Sequence, residues 1–211
     1  NSGFDVNVIN SVMTSSSART QLINDVVSTV TGDAYCAGVT FDFEPFSWST
    51  AARDGMTQFF ADLRTALPAQ YEISVYANAF GSSSLWDIPN LEPNLDYLIY
   101  SAYDWATGNT PHAITDFDNT IYSTHARALW YLYHGIPPEK FVYAFSTYGR
   151  QWSGTTSYNV SGTKESSMGL TDGLFDTTLN PNNGGPFTSN YVVGDEGEWY
   201  TWNDAGTDYV A

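Results

Sequence analysis

The sequence predicts an α/β fold built from βαβ units around a parallel sheet. Segments with strand character alternate strictly with segments of helical periodicity over residues 15–145. One segment, Leu95–Ala102, is almost continuously apolar, which is typical of a strand covered on both faces in a parallel sheet. The length of 211 residues allows one domain with its own core, or a large part of a bigger one.

The order of the elements follows from capping residues and periodicity. The serine run at Ser15 suits a helix N-cap, apolar residues recur at helical spacing as far as Val30, and Gly32 ends the helix. Pro68 ends a second apolar stripe. The predicted helices are residues 15–30, 56–67 and 114–133, and the predicted strands are residues 39–44, 71–76, 95–102 and 141–145.

The first predicted strand carries two carboxylates on one face. Apolar and polar residues alternate from Val39 onwards, so that Thr40, Asp42 and Glu44 point to the same side. Pro45 then ends the strand. In a βα barrel this carboxyl-terminal tip is where catalytic residues lie. The alternative is that both carboxylates belong to the solvent-exposed face of a half-buried strand.

Composition excludes several classes of partner. The 23 acidic and 7 basic residues give a net charge of −16, so nucleic acid and anionic membrane surfaces are poor partners. Excess acid suits a salty or extracellular setting. No apolar run approaches the roughly 18 residues of a membrane span. Cys36 is the only cysteine, and the spacing of the 3 histidines matches no compact metal motif, so we expect neither metal nor cofactor.

The last quarter of the chain has a different character. Residues 153–195 are rich in Gly, Asn, Thr and Ser and have no helical periodicity. We interpret residues 153–200 as an insertion with short strands and long loops, within a single domain that covers residues 1–211.

Three motifs in order resemble glycoside hydrolase family 18, the chitinase-like barrels. The strand-four signature of that family, Asp-x-x-Asp-x-Asp-x-Glu, is similar to residues 37–44. The strand-six signature, a small residue or Met followed by x-Tyr-Asp, is matched by residues 101–104, and the strand-seven signature, Tyr-Gly-Arg-x-Trp, by residues 148–152. The resemblance implies a (β/α)8 TIM-barrel type of fold, of which this chain covers strands four to seven and the insertion after strand seven.

The resemblance also implies a substrate-assisted retaining glycosidase. Glu44 would be the general acid and base, Asp42 would hold the substrate's 2-acetamido group, and Tyr103 would bind the acetamido oxygen. The negative charge of Asp42 would raise the pKa of Glu44. The resemblance assigns substrate binding to Asp104, Trp105, Tyr148, Arg150 and Trp152. Arg150 could instead form a salt bridge at the barrel mouth, and Trp152 could belong to the core.

The sequence departs from the family pattern in two ways. Ala37 and Thr40 replace two carboxylates of the signature, and a threonine hydroxyl can hydrogen-bond Asp42 but cannot exchange charge with it. The chain is also shorter than the roughly 250 residues of a whole barrel, so we expect it to be part of a longer one.

The sequence therefore predicts a secreted or cell-surface hydrolase of β-linked N-acetylglucosamine polymers. Chitin is the default substrate, and peptidoglycan or N-glycan cores are alternatives. A second hypothesis is a non-catalytic carbohydrate-binding or structural module that retains the barrel. A third is an unrelated acidic βα domain.

Overall fold

A computed structural model describes nine ranges of the chain, which form two compact units. The first unit comprises Asn1–Ser101 and Arg127–Ala144, and the second comprises Ala102–Ala126 and Phe145–Ala211. The described residues are 5–43, 47–78, 82–103, 108–111, 123–157, 160–169, 188–192, 197–204 and 206–210.

The chain begins with two helices joined at a serine. Helix α1 is Val6–Thr14 and helix α2 is Ser16–Gly32. The side chain of Asp5 accepts a hydrogen bond from the Asn7 amide (2.8 Å), and the side chain of Ser15 accepts one from the Ala18 amide (3.3 Å). The predicted N-cap at Ser15 is confirmed. Helix α1 was not predicted.

Four parallel strands form the sheet of the first unit. They pair in the order β1-β2-β3-β4, so that consecutive strands are neighbours. The strands are β1 (Gly38–Asp42), β2 (Glu72–Ala77), β3 (Tyr97–Ser101) and β4 (Phe141–Ala144). The prediction of a parallel sheet is confirmed. The first strand is shorter than predicted, since it ends at Asp42.

Helices connect these strands, although the short helix between β2 and β3 was not predicted. Helix α3 (Thr50–Ala66) follows β1, and α4 (Ile88–Leu91) with a 3-10 turn (Glu92–Asn94) follows β2. Helix α5 (Thr124–Tyr133) and a second 3-10 turn (Pro138–Lys140) precede β4. The predicted start of this last helix, near residue 114, lies outside the described residues.

One face of the sheet packs on helix α3. The ring of Phe41 lies edge-on to Phe59 and Phe60, with ring centroids 5.2 and 5.4 Å apart. Both α3 rings are fully buried, and Phe41 is almost so. Thr40 and Asp42 alternate with Phe41 along β1 and therefore lie on the opposite face of the sheet. The core thus fixes which side of β1 carries the polar residues.

The second unit contains an antiparallel sheet of five strands in the order β6-β5-β9-β8-β7. They are β5 (Tyr148–Ser153), β6 (Thr163–Gly169), β7 (Thr188–Val192), β8 (Gly197–Asp204) and β9 (Thr207–Val210). The predicted insertion, residues 153–200, supplies β6 and β7, whereas most of β5 and all of β9 lie outside it. The single domain with an insertion stays a prediction.

Candidate active site

Asp42 is the last residue of β1 and stands at the carboxyl end of the parallel sheet. Its partner in the register of β2 is Tyr76, and the partner of Thr40 is Ser74. Neighbouring residues in register point to the same face, so these four side chains share one face of the sheet. Acidic side chains at this end of parallel strands are positioned for chemistry in βα barrels.

Thr40 makes a hydrogen bond across the sheet. Its hydroxyl oxygen lies 2.7 Å from the hydroxyl oxygen of Ser74, which is 7% exposed. The sequence suggested Asp42 as a possible partner of Thr40, and the structure places Ser74 in contact instead. Sequence reasoning missed Ser74, because 34 residues separate the two hydroxyls along the chain.

Partial burial raises the pKa of Asp42 above the ordinary value for an aspartate. Desolvation favours the neutral form of a carboxyl group, because the charged form loses more hydration energy. Asp42 therefore takes up a proton more readily than a fully solvated aspartate does.

The proposed general acid, Glu44, lies outside the described residues, and so do Asp104 and Trp105. The structure describes the chain as far as Phe43 and again from residue 47. The ring of Phe43 stacks on Phe41, with centroids 5.6 Å apart and an interplanar angle of 16°. Trp48 is buried, and its indole N–H donates to the backbone carbonyl of Leu85 (2.8 Å).

Hydrogen bonds of Ser49 fix the start of helix α3. The side chain of Ser49 caps the helix by accepting a hydrogen bond from the Ala52 amide (3.1 Å). The amide and the hydroxyl of Ser49 both donate to Oδ1 of Asn10 in α1, at 2.9 and 2.8 Å. The chain on the helix side of Glu44 is thus tied to two other elements of the first unit.

Three predicted site residues come together in the second unit. The rings of Tyr103 and Tyr148 lie edge-to-face, with centroids 6.3 Å apart. The guanidinium carbon of Arg150 lies 5.6 Å from the centroid of Tyr148, which is within cation–π range. Two aromatic rings and a cation form a surface suited to a sugar with polar edges and an apolar face.

Trp152 packs inside the second unit. Its side chain is 2% exposed, and its indole N–H donates to the backbone carbonyl of Gly108 (3.0 Å). So little exposed surface favours the alternative interpretation, that Trp152 belongs to the core. Its role in substrate binding stays a prediction.

Within the described ranges, no group of three or more His, Cys, Asp or Glu residues could hold a metal ion. No helix in the same ranges combines the length and the apolarity needed to cross a bilayer.

Parallel strands alternating with helices, and an aspartate at the carboxyl end of a strand, are features of βα-barrel enzymes. The family model "Glycosyl hydrolases family 18" matches residues 7–210. The chain therefore belongs to glycoside hydrolase family 18, as the three sequence motifs predict.

Relatives and solved structures agree with this family. "Putative sporulation-specific glycosylase YdhD" of Bacillus subtilis is 30% identical over 160 residues, which are 71% of this chain and 36% of that protein. The match thus spans little more than a third of that relative. Its crystal structure has a TM-score of 0.78 at 22% identity and covers 98% of this chain and 66% of the other.

A plant enzyme shows the same fold. The family 18 chitinase of Cycas revoluta, in complex with allosamidin, has a TM-score of 0.80 at 13% identity and covers 97% of this chain and 64% of the other. The expected (β/α)8 TIM-barrel type of fold is confirmed by these neighbours.

Proposed function

We propose that this chain carries the catalytic residues of a glycosidase that hydrolyses β-linked N-acetylglucosamine polymers. The observation that carries the proposal is the match to glycoside hydrolase family 18 over residues 7–210, together with the position of Asp42 at the carboxyl end of β1, two residues before Glu44. Chitin is the default substrate. Peptidoglycan and N-glycan cores are the alternatives.

The proposed mechanism is substrate-assisted and retains the anomeric configuration. Glu44 donates its proton to the glycosidic oxygen as the bond to the anomeric carbon breaks. The carbonyl oxygen of the substrate's own 2-acetamido group attacks that carbon and forms an oxazolinium ion. Glu44, now a carboxylate, accepts a proton from water, and the water oxygen opens the ring at the anomeric carbon.

Asp42 has a defined role in these steps. Its carboxylate accepts a hydrogen bond from the acetamido N–H and stabilises the positive charge that develops on the oxazolinium ring. This contact strengthens as the positive charge develops, so it stabilises the transition state more than the bound substrate, which is the kind of stabilisation that accelerates a reaction.

The remaining proposed contacts are to the bound sugar. Tyr103 binds the acetamido oxygen, and Asp104 contacts the sugar at the cleavage subsite. Tyr148, Arg150 and Trp105 line the cleft, and the contacts of Tyr148 with Tyr103 and Arg150 support this placement for two of them. The acidic balance of the chain suits an enzyme that acts outside the cell or at its surface.

One observation favours the second candidate, a carbohydrate-binding or structural module without catalysis. The hydroxyl of Thr40 is in contact with Ser74, and Ala37 has no polar side chain, so neither position supplies a carboxylate to Asp42. A barrel that binds sugar without cleaving it would tolerate both changes.

The test is hydrolysis of N-acetylglucosamine oligomers by the intact protein and by Glu44→Gln. We expect the variant to lose activity by about a hundredfold or more, because its amide cannot donate a catalytic proton. Glu72→Gln is the matched control, since Glu72 is exposed at the start of β2, the opposite end of the sheet.

The outcomes separate the two candidates. Loss of cleavage in Glu44→Gln, with activity retained in Glu72→Gln, supports the enzyme. Cleavage that survives in Glu44→Gln overturns the assignment of this residue. Binding of the oligomers without cleavage by the unaltered protein supports the binding module.

A further inference from the structure

The loop after β1 and the loop after β2 are joined by one buried hydrogen bond. Trp48 lies four residues after Glu44, and its indole N–H donates to the carbonyl of Leu85 across 37 residues of sequence. Trp48 is 9% exposed and Leu85 is 4% exposed, so water competes little for this bond. Both loops leave the carboxyl end of the sheet, where the proposed chemistry takes place.

A second tryptophan completes this contact but does not share the hydrogen bond. The ring of Trp86 lies edge-on to Trp48, with centroids 5.0 Å apart and an interplanar angle of 81°. The Trp86 indole nitrogen is buried and has no hydrogen-bond partner among the residues that the structure describes. The two rings are therefore matched in type and burial, and they differ in whether the N–H is used.

Described residues on both sides of Glu44 in the sequence make anchoring contacts in the first unit. On the strand side, Phe43 stacks on Phe41, whose ring packs on α3. On the helix side, the Trp48 indole N–H donates to Leu85, and the Ser49 amide donates to Asn10. Only four residues, 44–47, separate Phe43 from Trp48 in the sequence, so both sets of contacts lie close to Glu44 along the chain.

We propose that Trp48 is a positioning residue for the general acid Glu44, acting through the hydrogen bond from its indole N–H to Leu85. This inference rests on the proposed function. A general acid must lie within hydrogen-bond reach of the leaving oxygen, and small displacements cost rate because the proton must be delivered along a short path. Trp48 is thus proposed to act on Glu44 through the chain and not by contact with the substrate.

The leaving group of the substrate provides a specific test. A poor leaving group, such as the hydroxyl oxygen of the next sugar residue, must be protonated by the general acid as it departs. An acidic phenol, such as nitrophenol, departs with little help. We expect Trp48→Phe, which keeps an aromatic ring and removes the N–H, to lower kcat on N-acetylglucosamine oligomers by about tenfold. On nitrophenyl glycosides of the same sugars the loss of kcat should be at most about twofold, with KM little changed in both cases.

Trp86→Phe is the matched control. It makes the same substitution at the neighbouring ring, where no hydrogen bond to the described residues is lost. The ratio of kcat on the oligomers to kcat on the nitrophenyl glycosides should therefore match that of the unaltered protein.

Asn10→Ala removes the two hydrogen bonds that Ser49 donates to Asn10, whose side chain is more exposed than that of Trp48. It should show the same leaving-group dependence as Trp48→Phe to a smaller degree, and it serves if Trp48→Phe does not fold.

The outcomes distinguish this inference from the proposed function. The positioning role is overturned if Trp48→Phe loses kcat equally on the oligomers and on the nitrophenyl glycosides. It is also overturned if Trp86→Phe shows as large a leaving-group dependence as Trp48→Phe. In both cases the assignment as an enzyme stands. If Trp48→Phe does not fold, a leaving-group ratio in Asn10→Ala equal to that of the unaltered protein overturns it. If the unaltered protein cleaves neither substrate, or if Glu44→Gln retains its activity on the oligomers, the proposed function fails and the role of Trp48 fails with it.

Discussion

Asp42 combines a functional position with a cost in stability. A carboxyl group whose pKa is raised on folding binds its proton more tightly in the folded protein than in the unfolded chain. The folded state is then favoured most at acidic pH, and stability is lost as the pH rises from the ordinary aspartate pKa of about 3.9 through the higher folded value. At neutral pH the charged Asp42 therefore opposes folding.

Asp42→Asn should remove this cost, since an amide does not titrate. We expect the variant to have a higher Tm than the unaltered protein at about pH 7, and a smaller difference or none at about pH 3. Thermal unfolding followed by circular dichroism at the two pH values measures both differences. The gain in stability should accompany a loss of activity, as expected where a site is strained for function.

Asp25→Asn is the control for the change of one unit in net charge. Asp25 is exposed on α2 and accepts a hydrogen bond from Gln21 (2.8 Å). A pH-dependent change in Tm as large in Asp25→Asn as in Asp42→Asn would assign the effect to net charge. A difference for Asp42→Asn that is the same at both pH values would contradict the role of burial.

At the scale of single residues, the sequence predicts what lies close along the chain. The alternation through Thr40, Phe41 and Asp42 predicts which side chains share a face, and the packing of Phe41 on α3 agrees. The contact of Thr40 with Ser74 could not be predicted, because it depends on the register between two strands. The bond from Trp48 to Leu85 depends in the same way on how two distant loops approach each other.

At the scale of elements, helices α1 and α3 approach each other closely at a glycine. A Cβ atom added to Gly55 would lie 1.9 Å from the backbone carbonyl oxygen of Met13, which also accepts a hydrogen bond from Arg19. The carbonyl belongs to the last turn of α1, where no further helical amide is available to it. Arg19 lies in α2, so this bond also ties α2 to the end of α1.

Gly55→Ala should therefore destabilise the protein, although alanine is the better helix former. We expect a loss in the free energy of unfolding of about 2–3 kcal/mol, as in other overpacked cores. Urea denaturation measures it. Gly32→Ala is the matched control at the end of α2, where nothing lies within 4 Å of the added Cβ, and it should be neutral or slightly stabilising. Equal effects of the two substitutions would rule out a close approach at Gly55.

The elements themselves were predictable to different degrees. Periodicity places the four parallel strands within one or two residues, because each is a short alternating or continuously apolar run next to clear stop signals. Helix α1 was missed, although Asp5 is a suitable N-cap and Ile9 and Met13 lie on one helical stripe. The antiparallel sheet could not be predicted strand by strand, since Trp152 pairs with Val210 and no local pattern joins them.

At the scale of the whole molecule, the net charge of −16 should discriminate between glycans by their charge. Glu44→Gln, which we expect to bind substrate without cleaving it, allows the affinity to be measured by calorimetry. Raising the ionic strength from about 0.01 to about 0.15 M shortens the screening length from roughly 30 to 8 Å. The Kd for a glycan that carries carboxylate groups should fall about threefold or more, because repulsion is screened, while the Kd for neutral N-acetylglucosamine oligomers should stay constant. A Kd for the carboxylated glycan that rises with salt would show that a local cluster of basic residues, rather than the overall charge, governs binding.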